Sequence, residues 1–221
     1  MIAEELINHM IPPLKPTDSI NKGLNWMEEL RVNQLPVVDN GDYVGLIGED
    51  IIYKYNNHEA LIKDLQLIGQ EVYVTYDQHF YDVLKMADRH GIEVVPVLGE
   101  EGNFLGVVTM NDTLSAFAKS TAMKESGAIF VLWMDQRDYS LTEISRLVES
   151  NNAKILSTYI AEDNNDPSKI NVTIKVDKTD LTRIIATFER FGYRIVAKFQ
   201  TADNQEIDKE SLDILFRYLD M

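Results

Sequence analysis

Cysteine is absent from these 221 residues, so neither a disulfide nor a thiolate nucleophile or ligand can contribute. Basic residues are scarce: 21 Lys and Arg stand against 36 Asp and Glu, a net charge of −15. That balance repels nucleic acid and anionic membranes at long range, which points away from both as partners. Long apolar runs are missing too, and none approaches the length needed to span a bilayer. The start, Met1-Ile2-Ala3-Glu4-Glu5-Leu6-Ile7, lacks the basic residues and apolar stretch of a signal peptide. A soluble, cytoplasmic protein is the expectation. The four histidines, His9, His58, His79 and His90, have no metal-ligand spacing. No Gly-rich phosphate loop, nucleophile elbow or zinc-protease motif occurs, so the chain reads as non-catalytic, with no resident cofactor or metal.

What is present is an internal repeat. Gln34-Leu35-Pro36-Val37-Val38-Asp39 aligns with Val94-Val95-Pro96-Val97-Leu98-Gly99, the prolines 60 apart. Gly45 then answers Gly106, and Asp50 answers Asp112. Each copy runs amphipathic helix, apolar strand, Gly-containing turn, apolar strand, polar corner. A repeat of this period means that one copy cannot bury its apolar face alone and packs on the other. The cleft between two such copies is a preferred place for a ligand.

The pattern resembles a tandem pair of cystathionine-β-synthase (CBS) domains, βαββα units that pair and sense adenine nucleotides. The resemblance covers about the first 120 residues and is most specific at Gly106-Val107-Val108-Thr109-Met110-Asn111-Asp112. It implies that Asp112 binds ribose hydroxyls, that Thr109 approaches the phosphate, and that amides around Asn111 assist at the following helix N-terminus. A carboxylate can accept from two vicinal hydroxyls, and a hydroxyl can donate to an anionic oxygen. The resemblance also implies ligand contacts just before the Pro-containing strands. Those positions are Asn33 and Gln34 in copy one, and Glu93 and Val94 in copy two; none is basic. Copy one departs further: Gly45-Leu46-Ile47-Gly48-Glu49-Asp50 is one residue short and has Gly48 where the hydroxyl should stand. Its site is therefore expected to be empty or altered. Apart from any ligand, Asp112 is also a natural N-cap for the helix that follows.

After Ser120 to Gly127, small and polar, the grammar changes. Ala128 to Met134 is an apolar strand, and Leu141, Ile144, Leu147 and Val148 recur at helical spacing behind Ser140 or Asp138 as cap. Lys154–Glu162 and Lys169–Val176 flank an Asp/Asn-rich turn and read as a hairpin. A helix from Thr179 or Asp180 ends at Gly192, and Tyr193–Phe199 is the last strand. The order βαββαβ is ferredoxin-like. In this setting it resembles an ACT domain, the regulatory module of amino-acid metabolism. Where ACT domains that bind amino acids usually have Gly before the first helix, this chain has Tyr139; Arg137, beside Asp135 and Asp138, could bind a carboxylate.

The expected fold class is α+β: repeats at 1–60 and 61–120, a linker at 121–127, an ACT-like domain at 128–200, and a tail at 201–221. In that tail, Leu212, Leu215, Phe216 and Leu219 share one helical face. The whole is similar to acetoin-utilisation-type CBS–ACT proteins. The resemblance implies a regulatory module that binds AMP, ADP or ATP, perhaps with Mg²⁺, relays occupancy to a partner of unknown identity, and forms a homodimer. A scaffold with vestigial sites and a sensor of a divalent cation or an amino acid are the alternatives.

Overall fold

The computed structural model describes residues 1–55, 60–119 and 121–200. His58 and the apolar face of the tail lie outside them. The chain divides into two compact units, Met1–Lys119 and Ser120–Met221.

In the first unit, helix α1 (Ile20–Leu30) leads into strands β1 (Gln34–Asp39) and β2 (Asp42–Gly48), then α2 (Glu49–Tyr55). The second copy repeats this as α3 (Phe80–His90), β4 (Val94–Leu98), β5 (Phe104–Thr109) and α4 (Met110–Ala118), preceded by the short strand β3 (Val74–Thr75). β3 runs parallel to β4, and its counterpart in copy one is a single parallel bridge, Leu14 to Val37. The equivalence extends to the register. Pro36 sits opposite Leu46 and Val37 opposite Gly45, with an irregularity at Val37/Val38; Pro96 sits opposite Val107 and Val97 opposite Gly106, with one at Val97/Leu98.

The copies exchange their leading segments. Ala3 N donates to Gln78 O and Asn8 N to Val107 O, so the chain start straps copy two. In the same way Ile62 N donates to Asp18 O, and Leu46 and Ile68 exchange two backbone bonds, so the segment leading into copy two straps copy one. The cores interlock as well: Val94 and Val107 join the core of copy one, and Leu46 that of copy two. Neither copy completes its own apolar face. Met27, Val83 and Ala87, which could have formed an external apolar face, are buried in these cores, while Leu84 stays exposed.

In the second unit, α5 (Thr121–Lys124) precedes β6 (Ala128–Asp135), α6 (Leu141–Glu149), β7 (Ile155–Glu162), β8 (Lys169–Val176), α7 (Thr182–Arg190) and β9 (Arg194–Phe199). The stretch read as linker thus contains one helical turn, and the Lys175 ammonium donates to the Ala122 carbonyl at 2.7 Å. The sheet order is β7-β8-β6-β9, all antiparallel, which is ferredoxin-like. β6 and β8 alternate strictly, presenting Phe130, Leu132, Val172 and Ile174 to Ile144, Leu147, Ile184 and Phe188 of the two helices. Ser140 caps α6, its hydroxyl accepting from Glu143 N at 3.3 Å. The second helix starts later than expected, at Thr182, because Asp180 spends its carboxylate on the Thr182 amide (2.8 Å) and hydroxyl (2.6 Å).

Candidate functional site

The polar corner of copy two is built by Thr109, where β5 ends. Thr109 has extended backbone angles (φ −90°, ψ 159°) and is the N-cap of α4. Asp112 was the expected cap, but it stands three residues further on, as the acidic half of a capping box. The Asp112 amide donates to Thr109 Oγ1 at 3.0 Å, while the Thr109 hydroxyl and amide donate to Asp112 Oδ2 at 2.6 and 3.3 Å. The sequence Thr-x-x-Asp carries this motif, so the box was legible once Thr109 was allowed to leave the strand.

A third donor reaches the same oxygen. Asn8 Nδ2, on the strap from the chain start, lies 3.0 Å from Asp112 Oδ2. None of the three bonds goes to Oδ1. In the first turn of α4 the Met110 amide donates to the Glu93 carbonyl and the Asp112 amide to Thr109. Among the described residues the Asn111 amide has no such partner. It is the kind of orphan donor that a helix N-terminus offers to an anion.

This corner opens on a cleft of about 620 Å³. Thr109, Asn111, Asp112, Val94 and Glu93 line it, together with Asn8, Met10 and Ile11 of the strap and Glu29 to Val32 at the end of α1. Four of the six residues singled out in the sequence therefore meet on one cleft. Gln34 and Asn33 are not among its lining. Gln34 Oε1 accepts from the Glu93 amide at 3.2 Å and so buttresses the wall from behind. Asn33 belongs to the corner of copy one, where its carbonyl accepts from the Glu49 amide at 3.0 Å, and its Oδ1 is buried without a partner among the described residues. At that corner a Cβ on Gly48 would meet Asp50 Oδ1 at 2.6 Å, so a hydroxyl-bearing residue does not fit there without moving the carboxylate.

Among the lining residues that the sequence did not single out are Asn8 and Arg31. Both come from segments remote in sequence, and only the strap exchange and the packing of α1 bring them to copy two's corner. Arg31 supplies the cation that the positions before the strands lack.

A second cleft, of about 410 Å³, lies in the second unit and is lined by Trp133, Asp135, Asp138, Glu143, Lys169, Tyr193 and Arg194, among others. Lys169 and Arg194 both lie over the Trp133 ring, 4.5 and 4.6 Å from its centroid, and Lys169 pairs with Asp135 at 2.7 Å. Arg137 does not line this cleft, and Asp135 takes Lys169 as its partner instead. Among the described residues no group of three or more His, Asp or Glu side chains could hold a metal ion, and no helix is long and apolar enough to cross a membrane.

Comparison with known proteins bears on the first unit. An inosine-5′-monophosphate dehydrogenase of Methanocaldococcus jannaschii is 26% identical over 113 residues, 51% of this chain and 23% of that enzyme. The chain thus spans about a quarter of that relative's length. Among solved structures, a CBS domain pair/ACT domain protein from Thermotoga maritima is 18% identical, with 55% of this chain and 99% of that chain covered and a TM-score of 0.49. The CBS-pair protein CBSX2 from Arabidopsis thaliana, solved in complex with AMP, is 16% identical, with 53% of this chain and 96% of that chain covered and a TM-score of 0.46. Residues 62–119 match the CBS domain family. With the copy-for-copy register described above, that match supports a CBS domain pair over the first unit.

Proposed function

We propose that this protein is a non-catalytic regulatory module whose first unit binds an adenine nucleotide in the cleft at Thr109 and Asp112, and relays occupancy to a partner. The observation that carries this reading is the convergence on one cleft of a carboxylate, a hydroxyl and an unpartnered helix-terminal amide, within a segment of the CBS domain family. Asp112 would accept from the ribose hydroxyls through Oδ1, which the capping bonds leave alone. The Asn111 amide and the Thr109 hydroxyl would face phosphate, and the hydroxyl would have to turn its proton away from Asp112 to do so. Binding thus exchanges bonds inside the corner for bonds to ligand. The corner is tied to the strap through Asn8, so a ligand that competes for Asp112 also acts on the strap. A ligand shifts an equilibrium only by its differential affinity for two states, and the strap is where two states would differ. The second unit, ferredoxin-like in its strand order, would be an ACT-like domain receiving that signal.

Calorimetry with AMP, ADP, ATP and adenosine tests the site. Asp112→Asn keeps an acceptor for the cap but removes the charge, and is expected to weaken all four by about 1–3 kcal/mol. Unchanged affinity in that variant would remove Asp112 from the site. A second reading, a scaffold with a vestigial site, draws on the mutual satisfaction of Thr109 and Asp112 without any ligand. It is chosen if melting temperatures do not shift with nucleotides, with Mg²⁺ or with amino acids.

A further inference from the structure

The two copies end their first helices in the same way but with different residues. In copy two, Gly91 takes the left-handed conformation (φ 62°, ψ 36°) after α3; its amide donates to Asp88 O at 3.4 Å, and the Ile92 amide to Ala87 O at 3.1 Å. In copy one the same position is Arg31 (φ 56°, ψ 45°), with its amide on Glu28 O at 3.3 Å and the Val32 amide on Met27 O at 3.0 Å. Glycine adopts this conformation without strain, whereas a residue with a Cβ does so at a cost. α3 carries Arg89 and His90 inside its last turn, whereas α1 has no basic residue there. A basic side chain inside the last turn would complement the helix dipole without strain, so that role alone does not call for Arg at the left-handed position. A residue with a Cβ holding the left-handed state in one copy, where the other has glycine, is a pointer to function.

Arg31 lines the cleft of Thr109 and Asp112, and among the described residues it is the one Lys or Arg that does so, alongside Glu29, Glu93 and Asp112. We infer that Arg31 is the phosphate-binding residue of this cleft and restricts it to nucleoside monophosphates. The proposal rests on the nucleotide reading above and sharpens it. One guanidinium meets one phosphate monoester with a bidentate fork and offsets only part of its charge, the rest of the lining being acidic. Each further phosphate adds negative charge that no other cation among the described lining residues meets. Affinity should therefore fall from AMP to ADP to ATP when no divalent cation is added.

The decisive variant is Arg31→Gly, which restores the residue found at the equivalent position of copy two and does not threaten the fold. Calorimetry should show AMP binding more tightly than adenosine to the unaltered protein. Arg31→Gly should reduce AMP affinity at least tenfold, leave adenosine affinity unchanged, and leave the melting temperature in the absence of ligand unchanged or higher. Equal AMP affinity in the variant, or AMP no tighter than adenosine in the unaltered protein, overturns the proposal. Inorganic phosphate, titrated in parallel, separates the two readings. If neither adenosine nor AMP binds but phosphate binds and loses affinity in Arg31→Gly, the anion site stands and the nucleoside reading falls. If phosphate fails as well, both fall.

Discussion

Tyr43 shows how a single side chain can join the two copies. It lies on β2 of copy one, packs against the core of copy two, and donates its hydroxyl to the Gly69 carbonyl at 2.7 Å. Burial pushes its phenol well above the ordinary value of 10.0. Tyr43→Phe removes one of two donors and leaves the Gly69 carbonyl with the Val72 amide alone, at 3.0 Å, so unfolding in urea should show a loss of about 0.5–1.5 kcal/mol. The pH dependence has a definite sign. Below pH 10 the phenol is protonated in both states. Above it the unfolded chain releases the proton first, so stability falls with rising pH until the folded form ionises as well. The unaltered protein should therefore lose stability above pH 10 more steeply than Tyr43→Phe; parallel slopes would show that the phenol is not held as described. Arg31 and Asn8 belong to this scale as well, and neither was legible in the sequence. An arginine after a helix looks like any solvated residue until its backbone angle is known, and an asparagine near the chain start gives no sign of its partner 104 residues away.

At the scale of elements, the repeat was legible because its period is carried by strands whose apolar residues and glycines must fall in register. Pro36 and Pro96, Gly45 and Gly106 do so, down to the irregularity beside each glycine's partner. The ferredoxin-like order was legible for a similar reason: β6 and β8 alternate, while α6 and α7 carry apolar residues at a helical period. The exchange of leading segments was not. Nothing in the composition of Met1 to Met10 says which copy it will cover, since both copies offer the same bare strand. The glycines record the exchange afterwards. A Cβ on Gly106 would meet Ile7 Cγ2 at 2.5 Å, a methyl that clears the space only by a change of rotamer about a stiff β-branched bond. A Cβ on Gly45 would meet Leu67 Cβ at 2.9 Å and the Ile68 carbonyl at 3.0 Å, neither of which can move without the backbone. Both glycines have positive φ, 148° and 156°, so strain is common to the two substitutions and the neighbours decide the difference. Gly45→Ala should cost about 1–3 kcal/mol, and more than Gly106→Ala. Thermal melts of the pair check the order, and Gly106→Ala as the worse of the two would contradict the strap geometry.

At the scale of the whole molecule, the open question is association. A homodimer is the expectation from the CBS resemblance, in which paired domains meet through helical faces. Much of the apolar surface of α1 and α3 is spent inside the chain, on the cores that hold Met27, Val83 and Ala87. What remains exposed is a different set. Tyr81 and Leu84 on α3 and Leu114 and Phe117 on α4 are 64%, 41%, 66% and 41% exposed, on two helices that contact each other. Exposed apolar residues gathered on neighbouring helices are a signature of an interface, and twofold closure is the commonest way for soluble proteins to satisfy one. The charge of −15 per chain opposes association, so the contact must be apolar and should change little with salt, because screening acts on exposed charges. Light scattering at micromolar concentration should give twice the chain mass of 25.3 kDa at both low and high salt. Leu114→Lys places a charge on that face without touching either core, and should return the mass to that of one chain. A mass of 25.3 kDa for the unaltered protein at both salt concentrations would rule the dimer out. A dimer that survives Leu114→Lys would move the interface away from α3 and α4.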